Sequence, residues 1–78
     1  MISAEVSLYP QKTSRASEII RDSLDAVADL DLDTKVGSIS TQLTGTEEEI
    51  WSGLKILFDR AQKESEVSMV VTLSNSGS

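Results

Sequence analysis

The chain has 78 residues, 38% of them hydrophobic, with neither cysteine nor histidine. The missing thiols and imidazoles exclude a disulfide framework, a thiolate nucleophile, the usual general base and the usual transition-metal ligands, and with them most hydrolase and zinc chemistry. Thirteen acidic against seven basic residues give a net charge of −6, which argues against nucleic acid as a partner and would suit a cationic small molecule. The length predicts one domain, residues 1–78, and a domain of this size buries only about 60% of its unfolded surface, so association with further copies would add burial. No apolar run approaches the ~18 residues of a membrane span, and the amino terminus opens directly into an alternating strand. A cytoplasmic, non-membrane protein is therefore expected.

Ile2 to Tyr9 alternates Ile2, Ala4, Val6 and Leu8 against Ser3, Glu5, Ser7 and Tyr9, the pattern of a strand with one buried face, with Pro10 expected to end it. Thr13 or Ser14 can cap a helix over Arg15 to Asp29 whose stripe is Ala16, Ile20, Leu24 and Val27, with Ile19 and Ala28 beside it. A second strand is predicted around Thr34 to Val36, and Gly37-Ser38 is a candidate tight reversal into a third strand from Ile39. There Ile39, Thr41 and Leu43 share one face and Ser40, Gln42 and Thr44 the other. Gly45 offers a permissive turn position, and Thr46 with Glu49 has the spacing of a capping box. The following helix carries Ile50, Leu54, Leu57 and Ala61, widened by Trp51 and Phe58, and Glu47 to Glu49 sit in its first turn, where the macrodipole favours anions. Val67 to Ser74 is a last strand with Val67, Met69, Val71 and Leu73 inward.

This order predicts an α+β, ferredoxin-like βαββαβ fold, a four-stranded antiparallel sheet with two helices on one face. The other face would carry hydroxyl-rich side chains, with Val70 as the bulky aliphatic residue at its centre, and could pack on a copy of itself. Thr41 is out of place: it lies in phase with Ile39 and Leu43, where a hydroxyl without a partner costs about 1 to 3 kcal/mol. Either it finds a neighbouring carbonyl or it is kept to meet a ligand.

Fold alone decides no function. RNA recognition would need aromatic residues on the central strands, where Ser, Glu, Gln and Thr stand. Metal transport would need thiolates in the first loop, Pro10-Gln11-Lys12-Thr13. Lys12 and Arg15 lie near a helix amino terminus, as an acylphosphatase-type anion site would require, but the segment has no glycine to cradle a phosphate. No catalytic residues and no metal site emerge.

Ser7-Leu8-Tyr9-Pro10 and Ile39-Ser40-Thr41-Gln42-Leu43-Thr44-Gly45, followed by the acidic-capped helix and a strand ending Leu73-Ser74-Asn75-Ser76, resemble the YkoF-like thiamine/hydroxymethylpyrimidine-binding family over nearly the whole chain. The resemblance implies a ferredoxin-like unit that binds the pyrimidine part of thiamine without catalysis or a cofactor. It also implies a single-repeat member, associating as a homodimer or homotetramer where two-repeat relatives pack their halves. In the family the contacts come from the leucine of the first motif and the threonine or serine of the second, which match Leu8 and Thr41. Tyr9 and Ser40, beside them in the same motifs, complete the candidate ligand-binding set. The implied function is binding of thiamine or hydroxymethylpyrimidine for transport, salvage or sensing. The alternative is a structural or protein-interaction module of the same fold without a small-molecule ligand.

Overall fold

The computed structural model describes residues 1–28, 30–37 and 40–76. The elements are β1 (Ile2–Gln11), α1 (Ala16–Ala28), β2 (Asp33–Val36), β3 (Thr41–Gly45), α2 (Glu47–Gln62) and β4 (Glu66–Ser74), and the sheet order is β2-β3-β1-β4 with every neighbouring pair antiparallel. Residues opposite one another across a ladder share a face, so the register sorts the side chains. Ala4 lies between Leu43 and Leu73, and Val6 between Thr41 and Val71, whereas Glu5 lies between Gln42 and Thr72. The expected inner and outer faces are therefore the observed ones. The core joins Ala4, Val6 and Leu43 of the sheet to Val27 of α1 and to Ile50, Leu54 and Leu57 of α2.

Local chemistry sets the helix boundaries. Thr13 Oγ1 accepts from the Arg15 N–H at 3.0 Å, and the Arg15 carbonyl accepts the first helical bond, from Ile19 at 3.0 Å. Thr46 caps α2 with the reciprocal pair expected of it: its N–H donates to Glu49 Oε1 at 2.8 Å and its Oγ1 accepts from the Glu49 N–H at 3.2 Å. Gly45 is the last residue of β3 and no turn residue. Its reason is space: a Cβ there would meet Leu32 Cδ2 at 2.8 Å and Glu49 Oε1 at 2.9 Å.

Four expectations need correction. β1 continues through Pro10 to Gln11, because Pro10 has β4 on one side only and the sheet tolerates a residue without an N–H at such a position. The buried stripe of α1 is Ile19, Ser23 and Val27, with Ile20 and Leu24 only half-buried and Ala28 exposed. Ser23 can occupy the core because its hydroxyl donates to the Ile19 carbonyl at 2.7 Å, which hides the polar group inside the helix itself. On α2, Ile50, Leu54, Leu57 and Ala61 are buried as the spacing predicts, but Trp51 is 56% exposed and Phe58 half-buried, since both sit over the edge strand β4. Finally, Gly37 is not at the tip of the reversal between β2 and β3: its N–H donates to the Ser40 carbonyl at 2.8 Å, one step beyond the Val36–Thr41 pair, and β3 starts at Thr41. The expectations for Ser38, Ile39 and Asp29 lie outside the described residues.

Among the described residues, Ser3 Oγ and Thr34 Oγ1 are buried without a hydrogen-bond partner. Thr34 faces the helices opposite Leu43, so its hydroxyl is a pure desolvation cost. Thr34→Val should raise the stability by about 1 kcal/mol, which for a domain this small is a melting shift of roughly 4 to 8 °C in a thermal scan. Thr46→Ala, which removes the side-chain half of the capping box, should lower it by about 1 kcal/mol in urea denaturation.

Candidate ligand-binding site

The site follows from unequal strand pairing. β1 pairs with β4 at nine positions, from Ser3 opposite Ser74 to Gln11 opposite Glu66, but with β3 at five only, from Ile2 opposite Gly45 to Val6 opposite Thr41. Past Val6 the sheet therefore opens on the β3 side. In an antiparallel strand every second residue turns both its N–H and its C=O to one side. Along Ser7 to Gln11 half of the main-chain polar groups thus face a side on which no strand among the described residues pairs with them.

Three further elements close over this opening. α1 contributes Ile20 and Leu24, β2 and the turn after it contribute Val36 and Gly37, and the chain entering β3 contributes Ser40 and Thr41. With Val6, Ser7 and Leu8 of β1 they line a cavity of about 130 Å³. Its walls combine aliphatic side chains with three hydroxyl-bearing residues, and none of these lining residues is charged. A cavity of about 150 Å³ holds one benzene ring, so this space of about 130 Å³ is slightly under one ring and would have to widen at its open side to take a substituted one; it cannot enclose a two-ring ligand.

Thr41 is 6% exposed and shares the inner face with Val6 and Leu43, although the hydroxyls sealed from solvent without a partner among the described residues are those of Ser3 and Thr34. A polar residue thus stands in a core-facing register, and it lines the cavity. Leu8, half-buried opposite Met69, lines the same cavity. Ser40 lines it too, although strand alternation would send it to the other face. Ser40 borders it from the position just before β3, where its carbonyl accepts from the Gly37 N–H. Tyr9 is not brought to the site: it lies on the outer face opposite Ser68, 52% exposed.

Sequence reasoning placed Ile20 and Leu24 in the core and missed Val36 and Gly37. The readable signal was in α1, where two adjacent stripes compete and the one through Ser23 is the better buried, leaving Ile20 and Leu24 free to line a side opening. A larger depression of about 420 Å³, lined by Asp33, Thr34, Lys35, Gln42 and Thr44, lies on the outer side of β2 and β3. No apolar residue lines it, and among its residues Asp33, Lys35 and Gln42 are solvent-exposed, so a ligand there would compete with water.

The cations considered as an anion site are engaged elsewhere. Lys12, in the left-handed conformation with φ 56°, places Nζ 3.1 Å from Glu66 Oε2. Arg15 pairs with Glu18 at 3.0 Å and with Glu64 at 3.5 Å. Its guanidinium pKa is raised first by the hydrogen bond to Glu18 and then by the charges of Glu18 and Glu64. Among the described residues no group of three or more acidic side chains is placed to hold a metal, and no helix is long and apolar enough to cross a membrane.

Comparison with known proteins gives the family. Among curated proteins none matches significantly. Among solved structures, a Streptococcus pneumoniae protein superposes with a TM-score of 0.88 at 19% identity, over 94% of this chain and 83% of that one. A hypothetical protein from Methanocaldococcus jannascii gives 0.86 at 21% identity, over 95% and 78%. A candidate thiamine biosynthesis/salvage protein from Thermotoga maritima gives 0.84 at 17% identity, over 96% and 83%. These likenesses establish the shared ferredoxin-like fold. The model of the YKOF-related family matches residues 1–78, and the chain belongs to that family.

Proposed function

We propose that the chain binds thiamine through its pyrimidine ring, or hydroxymethylpyrimidine itself, in the cavity between α1 and the opening in the sheet, and that it does so without catalysis. The observation that carries this reading is the buried Thr41, a polar residue in a core-facing register that lines a small, uncharged cavity together with Leu8 and Ser40. Family membership and the thiamine-related description of the Thermotoga maritima neighbour support the ligand class.

The chemistry of the two halves of thiamine fits the two environments. An aminopyrimidine is flat, neutral and bordered by hydrogen-bonding groups, so it matches aliphatic walls, the Thr41 hydroxyl and the free main-chain groups of β1. The thiazolium is cationic and would lose its hydration among uncharged walls. It stays at the mouth, near the 67%-exposed Val36, in the field of a chain carrying net charge −6.

Isothermal titration tests the reading. Both ligands should bind saturably to one site, and silence from both would favour an interaction module without a ligand. Thr41→Val should weaken binding by about 1 to 2 kcal/mol, roughly tenfold, while the empty protein holds or gains stability, because a methyl replaces a hydroxyl in a core-facing register. Were the hydroxyl instead satisfied internally, the same variant would melt earlier and bind unchanged. Gln42→Ala, in the outer depression, should leave affinity alone. Raising ionic strength from about 10 to 150 mM should weaken thiamine binding and leave the neutral pyrimidine unaffected, since only the first is drawn by charge.

A further inference from the structure

Val36 stands opposite Thr41, so its side chain lies on the helix side of the sheet, the side on which Ala4, Val6 and Leu43 are buried. Val36 is nevertheless 67% exposed. The reason is its place: β2 is an edge strand, Val36 is its last residue, and its side chain borders the cavity that Ile20 and Leu24 of α1 also line. An inward aliphatic side chain is thus left in water at the open side of the cavity.

The hydrogen-bond phase sets Val36 beside Thr41. Because the Gly37 N–H donates to the Ser40 carbonyl, those two residues form a hydrogen-bonded pair, and alternation makes Val36 and Thr41 a non-bonded one, with Cα atoms roughly 4.5 Å apart and side chains at their closest. Methyl groups and a hydroxyl therefore share one wall. The same geometry decides where the cavity, at about 130 Å³, can widen. Val6 and Thr41 are buried and paired with each other, and α1 is anchored by the buried Ile19, Ser23 and Val27. Val36 and Gly37, by contrast, are exposed and end a ladder with a strand neighbour on one side only. Room for a ring is made on their side.

We propose that Val36 is the specificity-determining wall of this site: the bound ring covers its methyl groups, and whatever the ring carries passes Val36 into solvent. Leu8 and Thr41 meet the same ring in both candidate ligands, whereas residue 36 stands where a neutral pyrimidine ends and a joined cation begins. The side chain there sets the preference between the two. This inference rests on the ligand reading above and adds to it the residue that discriminates within the class.

Isothermal titration at low ionic strength reads the preference directly. Val36→Ala removes two methyl groups from the covered area and should weaken both ligands roughly tenfold. The melting temperature of the empty protein should hardly move, because the side chain is already in solvent. Val36→Glu and Val36→Lys place opposite charges at the mouth, so the ratio of thiamine to hydroxymethylpyrimidine affinity should be about tenfold higher in the first than in the second. The same two changes at Val70, exposed on the outer face of β4, should leave that ratio level. In the wild-type complex, ring protons should give nuclear Overhauser contacts to the Val36 methyl groups. Silence of the wild-type chain toward both ligands would overturn the ligand reading and this proposal together. Saturable wild-type binding that Val36→Ala leaves unchanged, equal affinity ratios in the two charge variants, or ring contacts to Leu8 without any to Val36 would overturn the proposal alone.

Discussion

β1 pairs unequally with its two neighbours, at nine positions with β4 and at five with β3, and the rest of the architecture adapts to that difference. A strand in the middle of a sheet normally has both of its hydrogen-bonding sides satisfied. Here the second half of β1 has one, and three consequences follow from it. Pro10 can stand inside the strand, main-chain donors and acceptors are left beside Ser7 and Leu8, and α1 must cover a gap rather than a continuous sheet. Ile20 and Leu24 are half-buried for that reason, while Ile19 and Val27, one position round the helix or one turn on, are fully packed.

Charge and cavity are kept apart. The acidic excess has a structural role at the amino terminus of α2, where Glu47, Glu48 and Glu49 lie in the first turn and Glu49 closes the cap. Glu18, Glu64 and Glu66 hold Arg15 and Lys12 in exposed ion pairs, each of modest energetic weight. None of these groups reaches the cavity, whose lining is uncharged. A neutral recess on an acidic chain is the arrangement that the proposed ligand, a neutral ring joined to a cationic one, would call for.

Size links the core to the sheet edge. Among the described residues the buried core consists of nine hydrophobic side chains, two of them alanine, and close packing is achieved by small groups such as Ala4, Ala61 and Gly45. Of the large apolar side chains this small core leaves exposed, Met1, Tyr9, Val36, Trp51, Val70 and Leu73, the last three lie on or beside β4.

Element order, the two faces of each strand and the α2 cap were legible in the chain, because period-2 alternation and the Thr46–Glu49 pair are local signals that need no tertiary partner. Thr41 was legible too, since a polar residue in a core-facing register is an inconsistency within the sequence. Which α1 stripe is buried emerged only on folding, because a self-bonded Ser23 hydroxyl counts as polar in sequence and as apolar in the packed molecule. Packing likewise brought Ser40 to the cavity and kept Tyr9 away. Ser40 borders the cavity from the position just before β3, and Tyr9 stands inside a strand whose period puts it on the opposite face. The opening itself is a difference in length between two ladders, a property of how strands meet and not of any single strand, so no residue of β1 could announce it.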